Sequence, residues 1–167
     1  GLGRSASPYA WTKASNTELI QNYGTWFNVP YAITYFYNVY GNREIQTGKY
    51  ATLIAIFTKK YLEGGVLTVV SPGTQKRNFT HIDDIIDGIM LVAEKGYGDN
   101  FGIGNVNSYS ILEIANMFKN GKVKMLPERK GNRNDADLVV NKTVALGWSC
   151  KKNIEDHIKK ITKGVKK

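Results

Sequence analysis

Tyr9 and Lys13 stand four residues apart in the stretch "SPYAWTKAS", residues 7–15. On a helix that spacing puts both side chains on one face. A phenol is a poor base near neutral pH because its ordinary pKa is about 10, and a neighbouring ammonium favours the phenolate. The pair therefore has the composition of a tyrosine acid–base catalyst. In a chain with 10 tyrosines such a pair also arises by chance, so it gains meaning only from its surroundings.

The elements that would position it follow from local signals. Ser7 caps a helix with Pro8 at its first position, and the helical pattern runs to Gly24. "VPYAITYF", residues 29–36, has few charges and many β-formers, which predicts a buried strand. A loop follows, then a helix over "ATLIAIFTKKYLEGG" that ends at Gly64-Gly65. "VLTVV" predicts a strand, "SPGTQK" a turn and "RNFTHI" a short strand. "DDIIDGIMLVAEKG" is a helix with acids in its first turn, and "NFGIGN" a strand. "SILEIANMF" opens on a capping box, Ser110 to Glu113. The remainder reads as a strand, a long polar loop, a short helix and a terminal helix. Helices alternating with strands predict an α/β fold, yet only about three runs read as strands buried on both faces, too few for a self-contained doubly wound sheet.

Composition bounds the possibilities. Of 167 residues, 42% are hydrophobic and 22% charged, which excludes global disorder. No apolar run approaches the ~18–20 residues of a membrane span. The single cysteine, Cys150, excludes an internal disulfide and points to a reducing compartment. His81, His157 and Cys150 lack zinc-ligand spacing, so no metal is expected. The net charge of +9 admits nucleic acid as a partner, but much of the excess sits in "CKKNIEDHIKKITKGVKK". There Ile154, Ile158 and Ile161 recur at helical spacing, so the lysines read as the solvated face of an amphipathic helix.

Six stretches occur in one order: "SPYAWTKA", "VPYAITYFYNVYG", "GTQKRNFTHIDDIIDGI", "DNFGIGNVNSYSILEIA", "ERKGN" and "LGW". In this the chain resembles the extended short-chain dehydrogenase/reductase family, and within it the NAD-dependent nucleotide-sugar epimerases and dehydratases. In that family the Tyr-x-x-x-Lys helix lies near the middle of a chain about twice this length. The preceding half carries a Gly-x-x-Gly-x-x-Gly turn for the NAD diphosphate and a catalytic Ser or Thr. The resemblance therefore implies the C-terminal portion of an extended Rossmann-fold enzyme with a smaller α/β substrate-binding domain. Residues 1–38 and 81–105 would belong to the NAD-binding domain, and 39–80 and 106–167 to the substrate-binding domain.

The resemblance also implies roles. Tyr9 would be the acid–base, and Lys13 would hold the nicotinamide ribose of NAD and lower the tyrosine pKa. Asn38 would face the substrate phosphates, Arg77 and Arg129 would grip the nucleotide diphosphate, and Val69 and Val70 would pack the base. A guanidinium fork suits phosphate oxygens, which agrees with the arginine roles. The implied activity is nucleotide-sugar 4-epimerisation in the cytoplasm, by a homodimer formed through the Tyr9/Lys13 helix. Two other readings stand beside it: a 4,6-dehydratase of the same family, and a non-catalytic nucleotide-sugar or RNA-binding module.

Several positions depart from the family pattern. Tyr35 takes the place of an Arg three residues before the Asn, Asn78 that of an Asp after the phosphate arginine, and Asn132 that of the Asp in "RxGD". Val70 stands where an aromatic often stacks on the base. His81, Asp83, Asp84 and Asp87 read as a strand end and a helix start, and a redox role for Cys150 is not expected.

Overall fold

The computed structural model describes residues 7–119, 121–128 and 138–164. Its elements, in chain order, are α1 (Pro8–Phe27), β1 (Ala32–Phe36), β2 (Val39–Tyr40), α2 (Leu53–Leu62), β3 (Val66–Val70), β4 (Lys76–Asn78) and β5 (Thr80–His81). They continue as α3 (Ile82–Lys95), β6 (Gly98–Ile103), β7 (Ser108–Ser110), α4 (Ile111–Met117), β8 (Lys122–Leu126), α5 (Asn141–Ala145) and α6 (Ile154–Gly164). Local signals set several boundaries. Ser7 accepts from the Ala10 amide ahead of α1, Thr52 caps α2, and Ser110 with Glu113 closes a reciprocal capping box on α4. Helix α1 runs three residues past Gly24 and ends at Asn28, whose φ of 51° is the left-handed stop.

The strands pair two by two. β1 lies parallel to β6, β2 to β5 and β3 to β8, while β4 runs antiparallel to β7. β2 and β7, with two and three residues, exist through these long-range pairings and were not legible locally. The expected strand "RNFTHI" splits into β4 and β5, which pair with different partners. β1 departs from its expected burial. Ile33 alone is buried, and Tyr35 and Phe36 reach the surface, because among the described residues β1 is paired along one edge only.

Two hydrophobic clusters hold the fold. The larger joins Tyr40, Ile54, Phe57, Leu67, Val69, Phe79, Ile114, Phe118, Ile154 and Ile158. The smaller packs Ile85 and Ile103 against Trp148. β6 admits the 138–140 segment because Gly102 lacks a side chain: a Cβ there would stand 1.8 Å from the Val139 carbonyl oxygen. The terminal helix behaves as its periodicity predicts, with Ile154 and Ile158 buried and lysines outward.

Candidate functional site

The extended run from Gln75 to Phe79 sends alternate side chains to one face, so Gln75, Arg77 and Phe79 share it. β3 contributes Thr68 and Val70 by the same rule, while Leu67 and Val69 point into the core, both 0% exposed. These five residues, with Asn38 and the first residues of two helices, Leu53 of α2 and Ile111 of α4, line one open cavity of about 280 Å³. Its wall is apolar at Leu53, Val70, Phe79 and Ile111 and polar at Asn38, Thr68, Gln75 and Arg77.

Three of the expected substrate residues, Asn38, Val70 and Arg77, thus meet in one cavity from three separate segments. Val69 does not join them. Neighbouring residues of a strand face opposite sides, and the structure places Val69 in the core beneath the cavity. Arg129 lies outside the described residues. Thr68, Gln75, Phe79, Leu53 and Ile111 were missed; period-two alternation through Val70 and Arg77 was the available signal for the first three.

Polar bonds fix the cavity frame. Asn38, with a φ of 37°, donates through Nδ2 to the Asn78 carbonyl at 3.1 Å. The Asn78 amide donates in turn to the carbonyls of Asn105 at 2.8 Å and Val106 at 3.3 Å. An aspartate there has no N–H to offer, which explains Asn where the family pattern has Asp. Arg77 is half-buried and donates through its guanidinium to the Lys76 carbonyl at 2.7 Å. Leu53, the first residue of α2, lines the same cavity, and a helix N-terminus carries a partial positive charge.

Tyr9 and Lys13 lie on one exposed face of α1, as their spacing predicts. The Lys13 ammonium sits 5.6 Å from the centroid of the Tyr9 ring, and Tyr9 is 72% exposed. Among the described residues no carboxylate pairs with Lys13. Helix α1 is tied to the fold by Gln21, which donates to Asp99 at 2.9 Å, and Asp99 also accepts from the Tyr35 hydroxyl. Tyr35, in place of the family's Arg, is thereby part of that tie.

The acids near His81 are structural, as expected. His81 Nδ1 accepts from the Asp83 amide and caps α3. Buried Asp84 accepts from the backbone amides of Lys151 at 3.2 Å and Lys152 at 3.0 Å and from the Cys150 thiol at 3.1 Å. Burial and the Asp84 carboxylate push the Cys150 thiol up to about 12, so it stays protonated and is no nucleophile near neutral pH. Lys152 donates to Asp83, and that bond holds the Asp83 carboxyl below its ordinary range.

Parallel strand pairs, covering helices and an open cavity lined in part by Arg77 define an α/β protein with a candidate binding cavity. The sequence profile of the NAD dependent epimerase/dehydratase family matches residues 2–105, and the chain belongs to that family. A putative UDP-glucose 4-epimerase of Methanocaldococcus jannaschii is 27% identical over 165 residues, covering 96% of this chain and 53% of that protein. The crystal structure of the Thermotoga maritima UDP-glucose 4-epimerase with UDP-glucose matches with a TM-score of 0.86 at 26% identity, covering 94% of this chain and 52% of that one. A dTDP-glucose 4,6-dehydratase from Streptomyces venezuelae, solved with NAD bound, matches at 25% identity and a TM-score of 0.78, covering 94% and 50%. The chain spans about half the length of the relatives it matches.

The fold is that of a C-terminal portion of a Rossmann-type dehydrogenase/reductase, and the family's cofactor is NAD. The residues present fit one end of that cofactor. Lys13 offers ammonium donors that no carboxylate of the described residues takes up, which suits ribose hydroxyls, and Tyr9 stands beside it. No Gly-x-x-Gly-x-x-Gly run for the diphosphate occurs in these 167 residues. No helix among the described residues is long and apolar enough to cross a membrane.

Proposed function

We propose that this chain is the substrate-binding portion, with the catalytic helix, of an NAD-dependent nucleotide-sugar 4-epimerase. The observation that carries the reading is the single cavity formed by Asn38, Val70 and Arg77 from three distant segments of a chain in this family. Arg77, with Arg129 by resemblance, grips the diphosphate of a UDP-hexose. Asn38 lies beside the phosphates, and Val70 packs the base, with Val69 behind it in the core. Tyr9 takes the proton from the sugar 4-hydroxyl and later returns it; Lys13 favours the phenolate form and holds the nicotinamide ribose. NAD, when bound, supplies reversible hydride transfer at C4, through a transient 4-keto sugar.

The same reading assigns residues 1–38 and 81–105 to the NAD-binding domain and 39–80 and 106–167 to the substrate domain. Two facts support it. β1 pairs in parallel with β6, and every member of the larger hydrophobic cluster falls in 39–80 or 106–167. Trp148 and Cys150 cross over to pack on the smaller cluster and join the two parts. The exposed apolar side chains of α1, among them Leu19, Ile20, Tyr23 and Trp26, support a homodimer through that helix. The lone thiol supports a cytoplasmic setting.

The test is proton NMR of UDP-glucose incubated with this chain joined to the segment encoded upstream of Gly1, with NAD. Appearance of UDP-galactose supports the epimerase. A 4-keto-6-deoxy sugar instead assigns the 4,6-dehydratase reading, which the similarity to the Streptomyces enzyme favours. The 167 residues alone are expected to bind NAD weakly or not at all, because they lack the glycine-rich turn.

A further inference from the structure

Among the described residues, one ammonium beside the cavity has no acid to answer it. Lys60 of α2 is half-buried, and its Nζ lies 3.0 Å from Thr68 Oγ1. Among the described residues no carboxylate pairs with Lys60. An ammonium only donates, so the Thr68 oxygen accepts from it and the hydroxyl hydrogen must find another acceptor. None of the described residues provides one, and Thr68 lines the cavity beside Val70. The hydroxyl therefore presents a donor to whatever occupies the cavity. The charge behind it strengthens that donor and disfavours a second donor placed opposite.

We propose that Lys60 and Thr68 form a base-selecting pair, in which Lys60 orients the Thr68 hydroxyl to donate to the 4-oxo group of a uracil or thymine ring. A cytosine presents an amino group at that position and meets donor with donor. This rests on the reading of the cavity as the nucleotide site. Thr68 is a specificity residue, and Lys60 is a positioning residue that acts through it.

The test is calorimetric titration, with UDP and with CDP, of the same joined protein used for the UDP-glucose assay. The expected wild-type preference for UDP is about 10-fold or more, the scale of one satisfied against one opposed hydrogen bond. Thr68→Val, which suits a strand and removes the donor, should bring the UDP:CDP ratio close to one. Lys60→Met should lower the ratio too, by freeing Thr68 to accept from cytosine, whereas Lys60→Arg should keep it. A purely structural role would weaken both nucleotides together and leave the ratio unchanged. If wild type binds neither nucleotide, the cavity reading falls and this inference with it. If wild type binds UDP but shows no preference, or Thr68→Val keeps the preference, the inference alone is overturned.

Discussion

Asn38 Nδ2 donates to the carbonyl oxygen of Asn78 at 3.1 Å, joining the turn after β1 to the end of β4. Asn78 passes the connection on through its own amide to the carbonyls of Asn105 and Val106. One side of the cavity is thus held by a relay of amides in which each residue donates.

Replacing Asn78 by Asp breaks that relay. Asn78→Asp removes both N–H donors and sets a carboxylate against two carbonyl oxygens. The expected loss of stability is about 1–3 kcal/mol, the cost of leaving partly buried groups unpaired. Urea unfolding of both proteins measures it. Equal midpoints would show that the Asn78 amide is not needed.

The pH dependence of stability should come first from two histidines. His81 and His157 have ring centroids 5.8 Å apart, and each also packs on Tyr40. Burial lowers the pKa of both below the ordinary 6.5; His81, Lys152 and Lys160 contribute in the same sense, while Asp83 and Asp84 oppose the shift at His81. The unfolded chain therefore takes up protons before the folded one, and stability is complete above about pH 6.5 and falls as pH drops through the folded values. Asp83 and Glu113, whose pKa values are also lowered, lose their contributions only below the ordinary carboxylate range near 4. Thermal melts from pH 7 to 5 should show a falling Tm, with a shallower fall in His157→Phe. Identical slopes would exclude His157 as a source.

In the whole enzyme, Tyr9→Phe should lower turnover at least ~100-fold while nucleotide-sugar affinity changes little. The phenol hydroxyl is exposed, and Tyr9 makes no contribution to the buried clusters, so the variant should keep its fold. Steady-state kinetics beside a binding titration separates the two effects. Unchanged turnover would make Tyr9 an ordinary surface residue of α1.

Local chemistry made part of this legible in advance. The Ser7 cap, Pro8 and the Ser110–Glu113 box needed only neighbouring residues, and all three mark real helix starts. β2 and β7 were illegible because they exist through partners far along the chain, such as Tyr40 with His81 and Arg77 with Tyr109. Tyr35 and Phe36 read as buried by residue type, but burial depends on what covers a strand, and β1 is paired on one edge among the described residues. At the site, Arg77 and Asn38 were found by family resemblance. Thr68 was passed over because a threonine in "VLTVV" reads as an ordinary strand residue, and its meaning comes from Lys60 on another element.

The most direct measurement is a pair of titrations, UDP-glucose and a short RNA, on wild type and on Arg77→Ala and Arg129→Ala. Each arginine should supply a charge-assisted contact to the diphosphate, typically ~1.5–3 kcal/mol, so each substitution should weaken UDP-glucose binding ~10- to 100-fold. RNA should bind only weakly, with affinity that falls steeply as salt rises. An RNA complex unaffected by either substitution, in a protein that never binds UDP-glucose, would contradict the nucleotide-sugar reading.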